Sequence, residues 1–321
     1  HRDLHSFPTR RSSDLVAING DWINLDNNVV FGGQFHSGWY AKQLQGIWGG
    51  STFAWTFDRQ VHFNPCNEFT TDVLTVHYHA SGVTQEAQGL GRPRGENELV
   101  LYTPQYDVTT GADATGVEVV LQLATPTLAL SQPDEVVGEV VEVRVGKDAA
   151  PLPFDCLVLS ATGEAAETLR TNAPLGSQVG LSQHITGIGL DCVTPDGFDW
   201  RNTYAAIRGN HLFLQEGQPV GGPHDLAQRH PRTAVACNDQ YVFFIVCDGR
   251  SEVSRGMTAI ELGEFCRDHL GATWGLNLDG GGSSTLVING TVMNVPSDGR
   301  ERSIGNGLMM VNPQPKRTST A

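Results

Sequence analysis

The stretch of this sequence best equipped for chemistry lies near the C-terminus. It consists of Asn277, Leu278, Asp279, Gly280, Gly281, Gly282, Ser283 and Ser284. Three consecutive glycines permit positive φ angles and let a ligand approach the main chain closely. Their N–H groups, with the two serine hydroxyls, are suited to binding an anion, and Asp279 lies at the edge of that concavity. No Lys follows the glycines, so this glycine loop (residues 277–284) is not a Walker phosphate loop, and a tight turn without a ligand is the alternative.

Several other predicted strands also end in short polar loops. These loops are Asn19-Gly20-Asp21, Asp248-Gly249-Arg250 and Ser297-Asp298-Gly299, while Arg232 begins one strand and Arg302 follows a hairpin. Each loop alone is more typical of a turn than of a catalyst. Together they supply carboxylates, guanidinium groups and backbone donors. Arg binds phosphate oxygens in a bidentate manner, and a carboxylate pair is the usual equipment for cleaving a glycosidic bond.

Metal binding is the second kind of chemistry that these residues allow. Asp21, Asp248, Asp279 and Asp298 could hold a divalent cation, but no spacing among them demands one. His77 and His79 face the same side of a predicted strand, without a third ligand nearby, so we interpret them as ordinary surface or core histidines. We therefore expect no required cofactor and no metal site.

The overall composition excludes several functional classes. The chain has 321 residues, of which 39% are hydrophobic, too large a share for a disordered protein. Its 21 basic and 35 acidic side chains give a net charge of -14, which argues against nucleic acid or an anionic membrane surface as a partner. No stretch after residue 15 is long and apolar enough to span a bilayer. The oligomeric state stays open.

The two ends of the sequence are expected to lie outside the folded unit. Residues 5–15 resemble one reading frame of a common sequencing adapter, which is typical of an environmental gene fragment, so we treat residues 1–15 as a leader foreign to the fold. The missing native start means that the absence of a signal peptide carries no information. The polar tail at 313–321 is expected to be disordered.

The cysteines carry a weaker signal. There are six of them, and none forms a C-x-x-C pair, which makes a zinc ribbon a poor interpretation. An even number permits disulfides, but Cys237, Cys247 and Cys266 fall in apolar runs. We therefore favour buried free thiols over disulfides.

The elements that must position the polar loops are mostly strands. Alternating patterns predict strands through much of 61–145, whereas 26–50 is rich in Gly, Asn and Trp and predicts loops. Thr258 and Glu261 form a capping box that opens a helix ending at Leu270, before Gly271. We predict an α+β fold, with a mixed, largely antiparallel β core, a few flanking helices and a site at strand ends. Residues 16–312 would form one domain, with a β-rich lobe at 61–200.

The sequence from 232 to 311 resembles the phosphodiester glycosidase family. The matching motifs are Arg232-Thr233-Ala234, Asp248-Gly249-Arg250, Arg255-Gly256-Met257, the glycine loop, Pro296-Ser297-Asp298 and Arg302. Weaker similarity extends the resemblance over most of 16–312, with Ala17 to Asp21 as the opening strand and loop. Two departures concern substrate fit: Arg208-Gly209-Asn210-His211 replaces a glycine-rich run, and Trp22-Ile23 replaces an aromatic pair.

The resemblance implies hydrolysis of the glycosidic bond in a sugar 1-phosphodiester, giving free sugar and a phosphomonoester. The best-known member removes N-acetylglucosamine from a phosphodiester and leaves a mannose phosphate; here we expect an envelope glycopolymer or exopolysaccharide substrate and an extracytoplasmic, secreted protein. Catalytic roles fall to Asp279, Asp248, Arg232 and Arg302. The residues expected to bind substrate are Asn19, Gly20, Asp21, Thr233, Gly249, Arg250, Gly256, Asn277, Gly280, Gly281, Gly282, Ser283, Ser284, Ser297, Asp298 and Asn306.

In the mechanism that we expect, Arg232, Arg302 and the N–H groups of Gly280–Gly282 hold the phosphate. Asp279 or Asp248 serves as nucleophile or as base for water, and carboxylate spacing decides between retention and inversion. Two alternatives stay open. A phosphodiesterase would break the phosphorus–oxygen bond instead, and a glycopolymer-binding module would break neither bond.

Overall fold

The structure is a computed structural model whose strands far outnumber its helices. It describes residues 15–23, 30, 32–36, 39–42, 50–66, 69–123, 135–189, 192, 194 and 196–311. The helices of this part are α1 (Gly163–Asn172) and α2 (Ala259–Leu270). The strands are β1 (Leu15–Asn19), β2 (Gln34–His36), β3 (Trp39–Lys42), β4 (Ser51–Thr56), β5 (Val61–Asn64), β6 (Phe69–Thr71), β7 (Leu74–Tyr78), β8 (Val83–Ala87), β9 (Gly89–Leu90), β10 (Leu99–Tyr102), β11 (Val117–Leu123), β12 (Val136–Val145), β13 (Cys156–Ala161), β14 (Gln178–Ser182), β15 (Ile185–Ile188), β16 (Thr203–Gly209), β17 (His211–Gln215), β18 (Gln218–Pro219), β19 (Arg232–Cys237), β20 (Val242–Cys247), β21 (Trp274–Asn277), β22 (Leu286–Ile288), β23 (Thr291–Val292) and β24 (Gly307–Val311).

The strands form four larger sheets and one two-stranded pair, β15-β6. An eight-stranded sheet has the order β8-β7-β14-β12-β11-β13-β10-β9, and a five-stranded sheet has the order β3-β2-β16-β4-β5. A second five-stranded sheet, β18-β17-β21-β19-β20, and a four-stranded sheet, β23-β22-β1-β24, carry the C-terminal third. The pairing of β9 with β10 is parallel, and the other strand pairings are antiparallel. The largely antiparallel core and the few helices are confirmed.

Each helix packs an apolar face on a sheet. Leu169 and Ala166 of α1 are buried with the core of the eight-stranded sheet, where Leu101, Val119 and Leu159 are fully buried. In α2, Leu262 and Cys266 are buried against Phe213 of β17. The predicted capping box is present, since the Thr258 hydroxyl accepts from Glu261 N and Glu261 accepts from Thr258 N, and Gly271 ends the helix at φ 60°.

Some boundary predictions were wrong or lie outside the described residues. The interpretation of 26–50 as loops missed β2 and β3, which pair with each other and, through β2, with β16. β1 begins at Leu15, whose N–H donates to Asn289, so this residue belongs to the fold rather than to a leader. Residues 1–14 and the tail at 312–321 lie outside the described residues. The eight-stranded sheet falls within the lobe predicted at 61–200, but the division into lobes stays a prediction.

A disulfide bond joins Cys66 to Cys192, with 6.1 Å between their Cα atoms. The prediction of free thiols was wrong for this pair because the partners are 126 residues apart, and no local pattern reveals such a contact. It holds for Cys156, Cys237 and Cys266, which are buried, and for Cys247, which is half-buried. No helix among the described residues is long and apolar enough to cross a membrane.

The disulfide leads to a stability prediction. Replacing both Cys66 and Cys192 by Ser should lower the free energy of unfolding by about 2–5 kcal/mol, because the bond closes a long loop in the unfolded chain. Urea unfolding checks this, and dithiothreitol should reduce the stability of the wild type to that of the double variant. Cys247→Ser is the matched control, expected to change stability little. Equal stability of the wild type with and without dithiothreitol would contradict the prediction.

Candidate active site

The glycine loop connects two sheets. Asn277 ends β21 of a five-stranded sheet, and β22, which follows the loop, pairs with β1 in the four-stranded sheet. Between them, Gly281–Ser283 form a single 3₁₀ turn. The position of the loop therefore depends on how these two sheets are joined.

The side chain of Asn19, the last residue of β1, makes that joint. Its Nδ2 donates to the carbonyl oxygen of Asp279 at 2.7 Å. Its Oδ1 accepts from the Thr233 hydroxyl at 2.7 Å and from the N–H of Thr285 at 3.0 Å. The N–H of Asp279 donates to the carbonyl of Gly20 at 2.9 Å. One buried amide thus fixes β1, β19 and both ends of the loop.

The glycines allow charged side chains to lie directly on the loop. Gly281 has φ 62°, and a Cβ there would lie 3.0 Å from Nη2 of Arg250. A Cβ on Gly282 would collide with the side chains of Asp298 and Arg302. The structure therefore brings Arg250, Arg302 and Asp298 together over the glycine loop.

Most of the loop N–H groups that were predicted to bind an anion already donate to acceptors within the protein. Gly281 N–H donates to the carbonyl of Pro231 at 2.9 Å, and Gly280 N–H favours the charged form of the Asp279 carboxyl. A Cβ on Gly280 would also lie 2.8 Å from the Pro231 oxygen. The loop glycines serve close packing, so positive charge for an anion comes mainly from the two arginines.

The environment of the Asp279 carboxyl strongly perturbs its pKa. Burial raises its pKa to about 6, and the nearby Asp21 adds to the increase. The Ser283 hydroxyl and Arg302 oppose the shift. A carboxyl group that titrates near neutral pH can act as base, nucleophile or acid.

Arg302 is positioned by Asp298 and stays accessible. The two side chains form an ion pair, and each is 36% exposed. The hydrogen bond from Arg302 holds the pKa of Asp298 below its usual range. Arg250 is exposed and has φ 57°. Both guanidinium groups can therefore meet an anion arriving from solvent.

Asp21 occupies a different position from the one predicted. It is buried, forms an ion pair with Arg208 at 2.9 Å, and accepts from the N–H groups of Trp22 and Gly32. Burial raises its pKa although Arg208 opposes the change. The predicted substrate contact has no support from this geometry. Arg208, which departs from the glycine-rich run expected in the family, is explained by this buried carboxylate.

Arg232 also points into the protein rather than at the loop. Its Nε donates to Met257 O, and its Nη2 donates to the carbonyls of Asp225 and Gln228, at 2.7–2.9 Å. Burial lowers the pKa of its guanidinium. These bonds hold the segment before β19 against residue 257, and the described contacts give no support to the predicted role in binding phosphate.

Asp248 is the weaker of the two predicted catalytic carboxylates. It accepts from the N–H of Val295 at 3.0 Å and from Nδ2 of Asn294 at 3.2 Å, so it anchors the chain that leads to Asp298. Gly249 and Gly256 have packing roles, since a Cβ on either would press on the main chain at 230–231. This arrangement makes Asp279 the better candidate.

Several polar side chains near the loop can still form further hydrogen bonds. Asn306 accepts from the N–H of Asp21 through Oδ1, while the N–H of Gly20 donates to its carbonyl oxygen. Asn277 donates from Nδ2 to Asn210 and to Leu278 O. Within the described part of the chain, several buried polar atoms of the predicted site residues lack a hydrogen-bond partner. They include Ser284 Oγ, Ser297 Oγ, Asn306 Nδ2 and Asn277 Oδ1.

Sequence reasoning missed His230 and Arg208. His230 lies beside the loop arginines, its Nδ1 has no partner among the described residues, and burial together with Arg250 lowers its pKa. A lone Arg after the apolar run Ala205-Ala206-Ile207 was the signal for Arg208, whereas nothing local marks His230. His77 and His79 pair with Ser182 and Glu135. The described residues contain no group of three or more His, Cys, Asp or Glu placed to hold a metal.

Comparisons with known proteins connect this geometry to a family. Residues 164–311 match the profile of the phosphodiester glycosidase family, so the resemblance predicted from the sequence is confirmed over that span. The span contains the glycine loop, Asp248, Arg250, Asp298 and Arg302. It excludes Asn19 and Asp21.

Curated relatives and a solved structure add partial similarity. Over 104 residues the chain is 41% identical to mouse N-acetylglucosamine-1-phosphodiester alpha-N-acetylglucosaminidase, covering 29% of this chain and 19% of the relative. Over 90 residues it is 37% identical to the uncharacterized SPbeta prophage protein YomE of Bacillus subtilis, covering 28% and 14%. The chain thus spans less than a fifth of these relatives. A Burkholderia pseudomallei protein, provisionally described as exported, shares the fold, with a TM-score of 0.53 at 22% identity over 94% of this chain and 66% of that one.

The buried ion pair of Asp21 and Arg208 yields a stability prediction. Arg208→Met should lower the free energy of unfolding by about 3–5 kcal/mol at neutral pH, because it leaves a buried carboxylate without its cation. The deficit should shrink as the pH falls and Asp21 becomes neutral. Guanidinium unfolding at several pH values measures it. The control is Arg201→Met, which removes an exposed cation 3.5 Å from Asp72. If both variants lost the same free energy of unfolding, the Asp21–Arg208 ion pair would not be the source of the loss.

Proposed function

We propose, from the family match of residues 164–311 and the charges gathered at the glycine loop, that this chain hydrolyses the glycosidic bond of a sugar linked through its anomeric oxygen to a phosphodiester. The products are a free sugar and a phosphomonoester. One observation carries the proposal: the Asp279 carboxyl, whose pKa burial raises to about 6, belongs to a loop against which two accessible guanidinium groups lie.

Arg250 and Arg302 bind the phosphate in this proposal. Guanidinium groups match phosphate oxygens in geometry, and charge-assisted hydrogen bonds are stronger than neutral ones. As the bond between the anomeric carbon and its oxygen breaks, negative charge builds up on the phosphate. The two arginines stabilise that charge without having to reorganise. Asp298 holds Arg302 in place for this purpose.

Asp279 acts on the sugar. In its ionised form it either attacks the anomeric carbon, giving a glycosyl ester that water then hydrolyses, or removes a proton from the water that attacks this carbon. On either route the broken bond leaves its electron pair on the phosphate oxygen. Phosphate is a good leaving group, so little general-acid assistance is needed. The mechanism requires no metal. Whether the product retains or inverts its anomeric configuration separates the two roles of Asp279.

Two observations support a substrate class. The name of the mouse relative specifies N-acetylglucosamine on a phosphodiester, and we extend that sugar to this chain. A disulfide is typical of proteins outside the cytoplasm, and the fold is shared with a protein provisionally described as exported. These observations support an extracytoplasmic envelope glycopolymer or exopolysaccharide with phosphodiester-linked sugars as the substrate.

Isotope labelling provides a direct test. The full chain is incubated with an N-acetylglucosamine-phospho-mannoside in water enriched in oxygen-18, with and without EDTA, and the products are weighed by mass spectrometry. Label in free N-acetylglucosamine supports glycosidic cleavage. Label in a phosphate group means phosphorus–oxygen cleavage, and binding without turnover means a glycopolymer-binding module; either result overturns the proposal.

The titration of Asp279 predicts a pH profile. Since ionised Asp279 is required, kcat should fall as the pH drops through about 6, and Asp279→Asn should abolish turnover at every pH. The folded state binds this proton more tightly than the unfolded state, so the wild type loses stability as the pH rises from about 4 to about 6. Asp279→Asn should therefore be the more stable protein at pH 7, by about 1–3 kcal/mol. Asp239→Asn, in an exposed turn, is the control for both measurements, and retained activity in Asp279→Asn would remove this residue from catalysis.

The two arginines predict a loss of transition-state stabilisation. Arg302→Gln and Arg250→Gln should each lower kcat/KM by about a hundredfold, because each removes a cation from the developing charge. Arg267→Gln, on the exposed face of α2, should leave kcat/KM unchanged. Steady-state kinetics on the same phosphodiester measure all three variants. If the loop variants matched the Arg267→Gln control, the phosphate would bind elsewhere.

A further inference from the structure

A cavity lies on the eight-stranded sheet and shares no residue with the glycine loop. Its volume is about 610 Å³, within the range of small-ligand sites. The lining includes Arg94, Glu96, Tyr102, Tyr106, Ala112 and Asp113. The proposed hydrolysis uses none of these residues.

A buried hydroxyl without a hydrogen-bond partner is the first indication that the cavity binds a ligand. Tyr102 on β10 is fully buried, and its hydroxyl has no hydrogen-bond partner among the described residues. Leaving such a group without a partner costs about 1–3 kcal/mol, so natural proteins rarely keep one without reason. Tyr102 and Arg94 both line the cavity, and the charge of Arg94 acts on this hydroxyl.

A rigid polar network forms the wall of the cavity beside the Tyr102 hydroxyl. Arg94 is only 4% exposed and donates to Ser160 Oγ at 2.7 Å, Thr115 O at 2.6 Å and Asp113 Oδ1 at 2.9 Å. Ser160 in turn donates to Glu118 at 3.1 Å. A buried guanidinium in such a network holds its position before any ligand arrives.

The ring of Tyr106 supplies an apolar surface. It meets the Tyr102 ring edge-to-face, with 5.0 Å between the ring centroids. Tyrosine combines an apolar body with a polar tip, which suits ligands that present both C–H groups and hydroxyls. A pyranose ring has this character.

The charges of the cavity favour a neutral sugar over an anion as its ligand. Asp113, which is 72% exposed, neutralises Arg94, and Glu96 adds a second carboxylate to the lining. No unpaired cation remains among the lining residues to attract a phosphate. We propose that this cavity is a binding site for a neutral saccharide unit, held by the Tyr102 hydroxyl and the Tyr106 ring. This site is separate from the proposed active site and does not depend on hydrolysis.

Binding of simple sugars to the full chain tests the proposal. The probes are N-acetylglucosamine, glucose, galactose and inorganic phosphate, each titrated into the protein and followed by protein-observed NMR. At least one sugar should bind with a Kd of the order of millimolar, and Asp279→Asn should bind it equally well. Phosphate alone binding at this cavity, or no sugar binding, would overturn the proposal.

Three variants locate the bound sugar. Tyr102→Phe removes only the hydroxyl and should weaken binding by about fivefold while melting no lower than the wild type, because it also removes an unsatisfied buried group. Ala112→Trp fills the cavity and should weaken binding by more than about tenfold. Ala114→Trp, on the same loop but outside the cavity, should change nothing. Sugar binding that survives both Tyr102→Phe and Ala112→Trp would place the sugar elsewhere and sink the inference.

Discussion

The hydrogen bonds of one buried amide hold this candidate site together. Asn19 uses Oδ1 twice and Nδ2 once, and these three bonds reach β19, the start of β22 and the main chain of Asp279. No hydrophobic side chain could replace it, because the buried N–H of Thr285 and the carbonyl of Asp279 would lose their partners. The position of Asp279, the candidate catalytic residue, is therefore set by a residue 260 positions away in the sequence.

Around this joint, burial and charge divide the acidic residues into different roles. Asp21 is fully enclosed and neutralised by Arg208, so it supports the loop and adds negative field to Asp279. Asp298 is accessible and paired, so it orients Arg302. Asp279 lies between these extremes, partly buried and without a dedicated ion pair, which leaves its proton free to exchange near neutral pH. The surroundings of each carboxyl group, rather than its residue type, distinguish a structural role from a candidate catalytic role.

The sequence was informative wherever the signal was local. The capping box of α2 and the end of this helix at Gly271 depend on neighbouring residues, and both are present. Long-range features were not predictable in the same way. The disulfide, the inward direction of Arg232 and the Asp21–Arg208 pair depend on residues far apart in the chain. β2 and β3 were missed because their stretch is rich in Gly and aromatic residues without a clear alternation.

The first and the last strand of the described chain, β1 and β24, pair with each other, with Leu15 opposite Val311. β1 leaves the ribosome before both of its neighbours, β22 and β24, and the strands from β2 to β21 are made in between. The hydrogen bonds of Asn19 cannot form until Thr233, Asp279 and Thr285 have also been made. A nascent chain that has not yet reached β22 therefore carries the earlier strands without an assembled glycine loop. Synthesis of the segment from Asp279 to Thr285 thus sets the earliest moment at which the candidate site can form.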